Sequence, residues 1–165
     1  MSQPEPTAVT NLRIEHLRPA DSLGVGLAQP RLSWQTVTAA RNWRQAAYEV
    51  EQRGADGSVR SSGRVLSDRS VLVAWPFPPL GSRQQAAVRV RVWGEDESAS
   101  DWCEPLIFET GLLEPAEWSA RFVTPDWDED PTVDNPAPYL RRPFVVTGSV
   151  RAARWAGMKL ATRVA

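Results

Sequence analysis

Asp126, Asp128, Glu129 and Asp130, joined by Asp134, form the densest run of carboxylates in this 165-residue chain. Acid–base hydrolysis needs one carboxyl held protonated and another ionised on a rigid cleft, and a looser oxygen cluster can hold calcium. Here the run lies among Pro125, Pro131, Pro136 and Pro138, with no regular element to fix two carboxyls at a set distance. It reads as a solvated acidic loop, and no catalytic, cofactor-binding or metal role is assigned to it. His16 is the only histidine and has no second histidine or cysteine, nor a nearby serine, with which to build a zinc site or a triad. Cys103 is the only cysteine. It excludes an intrachain disulfide and, with no lysine or histidine beside it to lower its pKa, reads as an inert thiol. Gly24-Val25-Gly26 has the first two glycines of a dinucleotide-binding loop but neither the third glycine nor a helix after it, so it reads as a turn.

Aromatic residues are the other candidates. Eight tryptophans, Trp34, Trp43, Trp75, Trp93, Trp102, Trp118, Trp127 and Trp155, are spread along the chain. Exposed indole faces can stack on sugar rings, but core or interdomain packing is the preferred reading. Trp34 and Trp102 read as core, whereas Trp75, Trp93 and Trp127 are the positions open to solvent. With 19 basic and 20 acidic residues the net charge is −1, too small for a field that holds a phosphate backbone or an anionic membrane.

The elements that position these residues are strands. Val9 to Ile14 alternates with Leu12 and Ile14 on one face; Arg31 to Gln35 alternates again, and Gln45 to Gln52 repeats the pattern with Tyr48 and Val50 inward. Arg53 to Ser58, with its Asp-Gly pair, has hairpin chemistry and leads into the Val59 to Ser67 region. Ser70 to Trp75 reads as a short strand stopped by Pro76. Val88-Arg89-Val90-Arg91-Val92 is the cleanest alternation, valines inward, arginines and Trp93 outward, and Leu106 to Glu109 closes the series. Six or seven short strands within about 100 residues, separated by turn residues, predict an all-β antiparallel sandwich of immunoglobulin-like or fibronectin type III-like type. After Gly111 the pattern changes. Leu113 to Trp118 reads as a linker with one helical turn, Arg121 to Val123 as at most a short strand, and Tyr139 to Val146 as a new strand that extends to Val150–Arg154 before an irregular tail. Two or three strands in about 55 residues cannot close a β-domain.

The succession Val9-Thr10-Asn11-Leu12-Arg13, Pro30-Arg31-Leu32-Ser33-Trp34, Ala47-Tyr48-Glu49-Val50, Leu80-Gly81-Ser82-Arg83, Val88 to Trp93, Ser100-Asp101-Trp102 and Phe108 to Leu113 resembles the N-terminal region of bacterial α-L-rhamnosidases of glycoside hydrolase family 78. Trp118-Ser119-Ala120 and Pro138 to Phe144 resemble the entry into that family's next domain, a carbohydrate-binding-type jelly roll, cut off near its start. The resemblance implies a fibronectin type III-like sandwich at 8–111 after a disordered 1–7, then a linker and truncated jelly-roll start at 112–154 and an irregular tail at 155–165. It implies an inverting glycosidase as parent, whose acid and base stand about 6.5–9.5 Å apart in a downstream helical barrel that this sequence does not contain. Ala86, six residues after Leu80, departs from the family pattern and removes the tyrosine-corner hydrogen bond.

The expected function is therefore a non-catalytic accessory region without cofactor or metal. Its partners are the downstream domains of the parent enzyme and, as a possibility left open, a rhamnose-containing glycan, with neither nucleic acid nor membrane. A free-standing fibronectin-like module that binds a protein or glycan is the alternative. The polar, proline-rich Met1 to Thr7 lacks the features of a signal peptide, so the cytoplasm is the expected location, secretion not excluded.

Overall fold

A computed structural model describes residues 7–18, 22–121, 132 and 141–150. The chain divides into two units, Met1–Trp118 and Ser119–Ala165. The first holds eight strands: β1 (Ala8–Ile14), β2 (Leu23–Val25), β3 (Leu32–Val37), β4 (Gln45–Gly54), β5 (Val59–Ser61), β6 (Val65–Leu66), β7 (Gln85–Gly94) and β8 (Leu106–Thr110). β1 and β3 pair as a two-stranded sheet. The larger sheet runs β2-β8-β7-β4-β5, with β6 on the same edge of β4 as β5. The pattern is the all-β sandwich that the alternation predicts.

Between the sheets lies one apolar core. Val88, Val90 and Val92 of β7 are buried, as are Tyr48 and Val50 of β4 and Leu106 and Phe108 of β8. Leu12 and Ile14 face inward from β1, and so does Val9, because a register shift between Thr10 and Arg13, with Asn11 at φ 51°, inserts one residue and resets the phase. Trp75 is the aromatic centre, edge-on to Phe77 at 5.2 Å and to Phe108 at 5.8 Å, with its indole N–H donating to the Pro78 carbonyl at 3.2 Å. Trp34 stands edge-on to Tyr48, and its N–H donates to Gln45 Oε1 at 3.1 Å. Ala86 is buried, and the neighbouring loop is tied instead by Thr110, whose hydroxyl donates to Gly81 O at 2.6 Å and accepts from Gln84 N at 2.9 Å.

Three expectations are corrected. Ser70 to Trp75 forms no strand: Leu72 takes a left-handed φ of 49° and leaves only a bridge, Val73 to Leu32, with reciprocal bonds of 2.8 and 2.9 Å. Gly24 lies within a strand, not a turn. At φ 77° it lets β2 run parallel to β8, and Gly111 packs so closely over it that a Cβ there would meet Gly24 O at 3.2 Å. Arg141 to Val150 contains no strand; Pro143 has no N–H to give a ladder, and Phe144 and Val145 are exposed. Tyr139, Leu140, Phe122, Val123 and the tail 155–165 lie outside the described residues. Leu113 to Trp118 does carry one turn, a 3-10 turn at Pro115–Glu117.

Candidate functional site

On β7 the same alternation that buries the valines turns Arg89, Arg91 and Trp93 to the outer face of the large sheet. β4 answers with Glu49 and Glu51, which stand opposite Arg91 and Arg89 in register. Each pair closes as an ion pair: Arg89 reaches both oxygens of Glu51 at 2.9 Å, and Arg91 meets Glu49 Oε2 at 2.6 Å. The Ser61 hydroxyl on β5 donates to the other oxygen of Glu49 at 2.5 Å. Burial raises the Glu49 pKa, but the Ser61 and Arg91 bonds outweigh it, and the carboxyl lies below the ordinary glutamate value. That is the wrong direction for a general acid at neutral pH.

Tryptophans interleave with these arginines. The guanidinium of Arg89 lies 4.7 Å and that of Arg91 4.6 Å from the Trp102 ring centroid. Arg91 and Arg64 lie 4.9 and 5.2 Å from that of Trp93. The order is Arg64–Trp93–Arg91–Trp102–Arg89, closed at one end by an Arg64–Glu97 ion pair. Residues two apart on a strand are separated by about 6.8 Å, room for one ring between two guanidiniums. Trp102 is therefore half-buried on the surface, not in the core, and Trp75, expected to be open to solvent, is core. Trp93 is half-buried, and Trp127 and Trp155 lie outside the described residues.

Trp102 is placed by the segment that precedes β8. Ser100 N donates to Val92 O at 2.8 Å and its Oγ accepts from Val92 N at 3.0 Å; Cys103 N donates to Val90 O at 3.0 Å and its Sγ accepts from Val90 N at 3.2 Å. Side chains thus supply the acceptors that carbonyls of a neighbouring strand give elsewhere. Ser62 does the same for Val50 N across the opposite edge of β4. Burial pushes the Cys103 thiol up, so thiolate chemistry is disfavoured. The thiol also lines a groove of about 410 Å³ between Val9–Leu12 and Cys103–Leu106.

The remaining candidates do not join this cluster. His16 is exposed, beside Glu15, which hydrogen bonds from Arg31 hold below the ordinary value. Asp126, Asp128, Glu129, Asp130 and Asp134 lie outside the described residues. Among the described residues no three His, Cys, Asp or Glu side chains come together in a metal-binding group. The ladder itself was missed in sequence, although its signal is there: Glu49 and Glu51 share one parity, as do Arg89, Arg91 and Trp93. Only the tertiary placement of Arg64 and Trp102 completes it.

The chain is 41% identical over 122 residues to the α-L-rhamnosidase of Streptomyces avermitilis, covering 70% of this chain and 12% of that one. The crystal structure of that organism's α-L-rhamnosidase complexed with L-rhamnose superposes with a TM-score of 0.64 at 40% identity, over 69% of this chain and 11% of that one. The native enzyme from Aspergillus terreus gives 0.63 at 38% identity, over 68% and 13%. The chain spans 12–16% of the length of the curated α-L-rhamnosidases it matches. The family model for the Rha78A-like N-terminal immunoglobulin domain matches residues 9–114, from the first core residue of β1 to the residue that caps the 3-10 turn. By that match the chain belongs to the family of Rha78A-like N-terminal immunoglobulin domains.

Proposed function

We propose that this chain supplies the non-catalytic N-terminal immunoglobulin-like domain of an enzyme that releases terminal α-L-rhamnose, with the residues after Trp118 leading into the rest of that enzyme. The observation that carries the reading is the coincidence of the family match, 9–114, with the sandwich of the first unit, in a chain that spans only 12–16% of its relatives' length. The outer face is built for scaffolding. Inverting hydrolysis needs an acid and a base fixed about 6.5–9.5 Å apart and poised to exchange protons, whereas Glu49 and Glu51 are both engaged by arginines. The partners in this reading are the downstream domains of the parent enzyme.

The test is an assay of the purified chain on an aryl α-L-rhamnoside. No turnover above buffer is expected. Turnover that disappears on substitution of residues in this chain would overturn the non-catalytic assignment.

A further inference from the structure

We infer that the half of the outer face not covered by the ladder is the seat for the body of the parent enzyme; the inference rests on the function proposed above. One row crosses four strands there. Val59 on β5 stands opposite Arg53 on β4, Arg53 opposite Ala87 on β7, and Ala87 opposite Ile107 on β8. Leu23 on β2 adjoins the row one position on, beside the buried Glu109. Val59 is 51%, Ile107 60% and Leu23 75% exposed. Single exposed apolar side chains are ordinary, but here Ile107 stands beside the half-buried Ala87 on strands about 4.8 Å apart, with Val59 on the far side of Arg53 and Leu23 on the next strand, so the row is a mixed apolar and basic surface. Arg53 crosses it as a guanidinium with no ion-pair partner among the described residues.

Three features identify the occupant. The polypeptide leaves the sandwich along the edge where this row ends: Gly111 N donates to Val25 O on β2 at 2.9 Å, and Ser82 anchors the exit segment, its Oγ accepting from Leu113 N at 2.9 Å and bonding the Glu117 carboxylate. The matched region is only 12–16% of the relatives' length, so in such an enzyme the polypeptide beyond the exit is tethered beside the row at high effective concentration. Interfaces between domains of one chain mix apolar and polar contacts, as this row does. The complementary surface is an apolar patch of the parent enzyme with a carboxylate opposite Arg53.

The experiment places this chain in the Streptomyces avermitilis enzyme in exchange for the matching N-terminal segment. Maleimide labelling of Ile107→Cys, and separately of Leu23→Cys, is then timed in the chimaera and in the free chain, with the slow reaction of Cys103 in the parent background subtracted. At least about tenfold slower labelling in the chimaera is expected at both positions, with much of that protection lost on Arg53→Glu. Equal labelling in chimaera and free chain overturns the inference, as does protection already present in the free chain at high concentration, which would mean that a second copy occupies the row. Aryl α-L-rhamnoside turnover by the chimaera is the separate readout of the proposed function: a chimaera that is folded but inactive counts against that function whatever the labelling shows.

Discussion

The two halves of one sheet face use the same strands in opposite ways. Over Glu49, Glu51, Arg89 and Arg91 every charge is answered and each of the two tryptophans lies against two guanidiniums. Over Val59 and Ile107, one or two register positions away, the apolar side chains are exposed, Ala87 is half-buried, and Arg53 has no ion-pair partner among the described residues. Exposed aromatic and charged groups are thus no guide to a binding surface by themselves. What matters is whether their interactions are already satisfied within the domain, and here the chemically richer half is the satisfied one.

Both halves rest on the same core, and the largest expected effect lies beneath them. Trp75→Ala removes an indole that meets Phe77 and Phe108 edge-on, and should cost about 3–5 kcal/mol by thermal or urea denaturation. Loss of less than about 1 kcal/mol would mean that the two faces are not supported by one cooperative unit.

Separating the halves requires a pair of surface substitutions. Trp102→Ala deletes the ring shared by Arg89 and Arg91 and should cost about 1–2 kcal/mol, seen as a lower Tm, whereas Ile107→Ser should change stability by less than about 0.5 kcal/mol. Equal losses would erase the distinction. A finer probe is the thiol acceptor beneath Trp102. Cys103→Ser keeps an acceptor for Val90 N and should be close to neutral; Cys103→Ala leaves that amide without one and should cost about 1 kcal/mol.

The smallest effect is in acid. The Glu49 carboxyl is depressed in the folded state, so the stability it contributes is fully present above the ordinary glutamate value of 4.5 and is lost as pH falls through the lower folded value. Between pH 5 and pH 3 the Tm of the parent should therefore fall more than that of Glu49→Gln. Parallel curves would show that the Arg91 and Ser61 bonds contribute nothing measurable.

How much of this was legible in the chain depends on the range of each interaction. Val88-Arg89-Val90-Arg91-Val92 states its own inward and outward faces, because strand parity is local, and β3 obeys the same rule, whereas the inserted residue at Asn11 breaks it in β1. Ser70 to Trp75 has the composition of a strand, yet the left-handed Leu72 reduces it to a bridge, which no local pattern announces. Trp75 and Trp102 exchange expected places for a related reason. An indole is buried or exposed according to what lies opposite, and the partners of Trp102 are arginines more than ten residues earlier, on β7. The family was readable from the ordered succession of short segments, none specific alone. The ladder was not, because it joins residues 49 to 102 through pairing that only the folded sheet defines.

The most direct test of the contrast between the halves is a titration of the full chain with L-rhamnose, tracked through the indole N–H resonances of Trp93 and Trp102. If the ladder has already committed both rings to its own arginines, these signals should stay in place up to about 10 mM sugar. Saturable shifts at those two indoles, abolished by Trp102→Ala while the domain remains folded, would show that the aromatic half is a binding surface and would contradict the account.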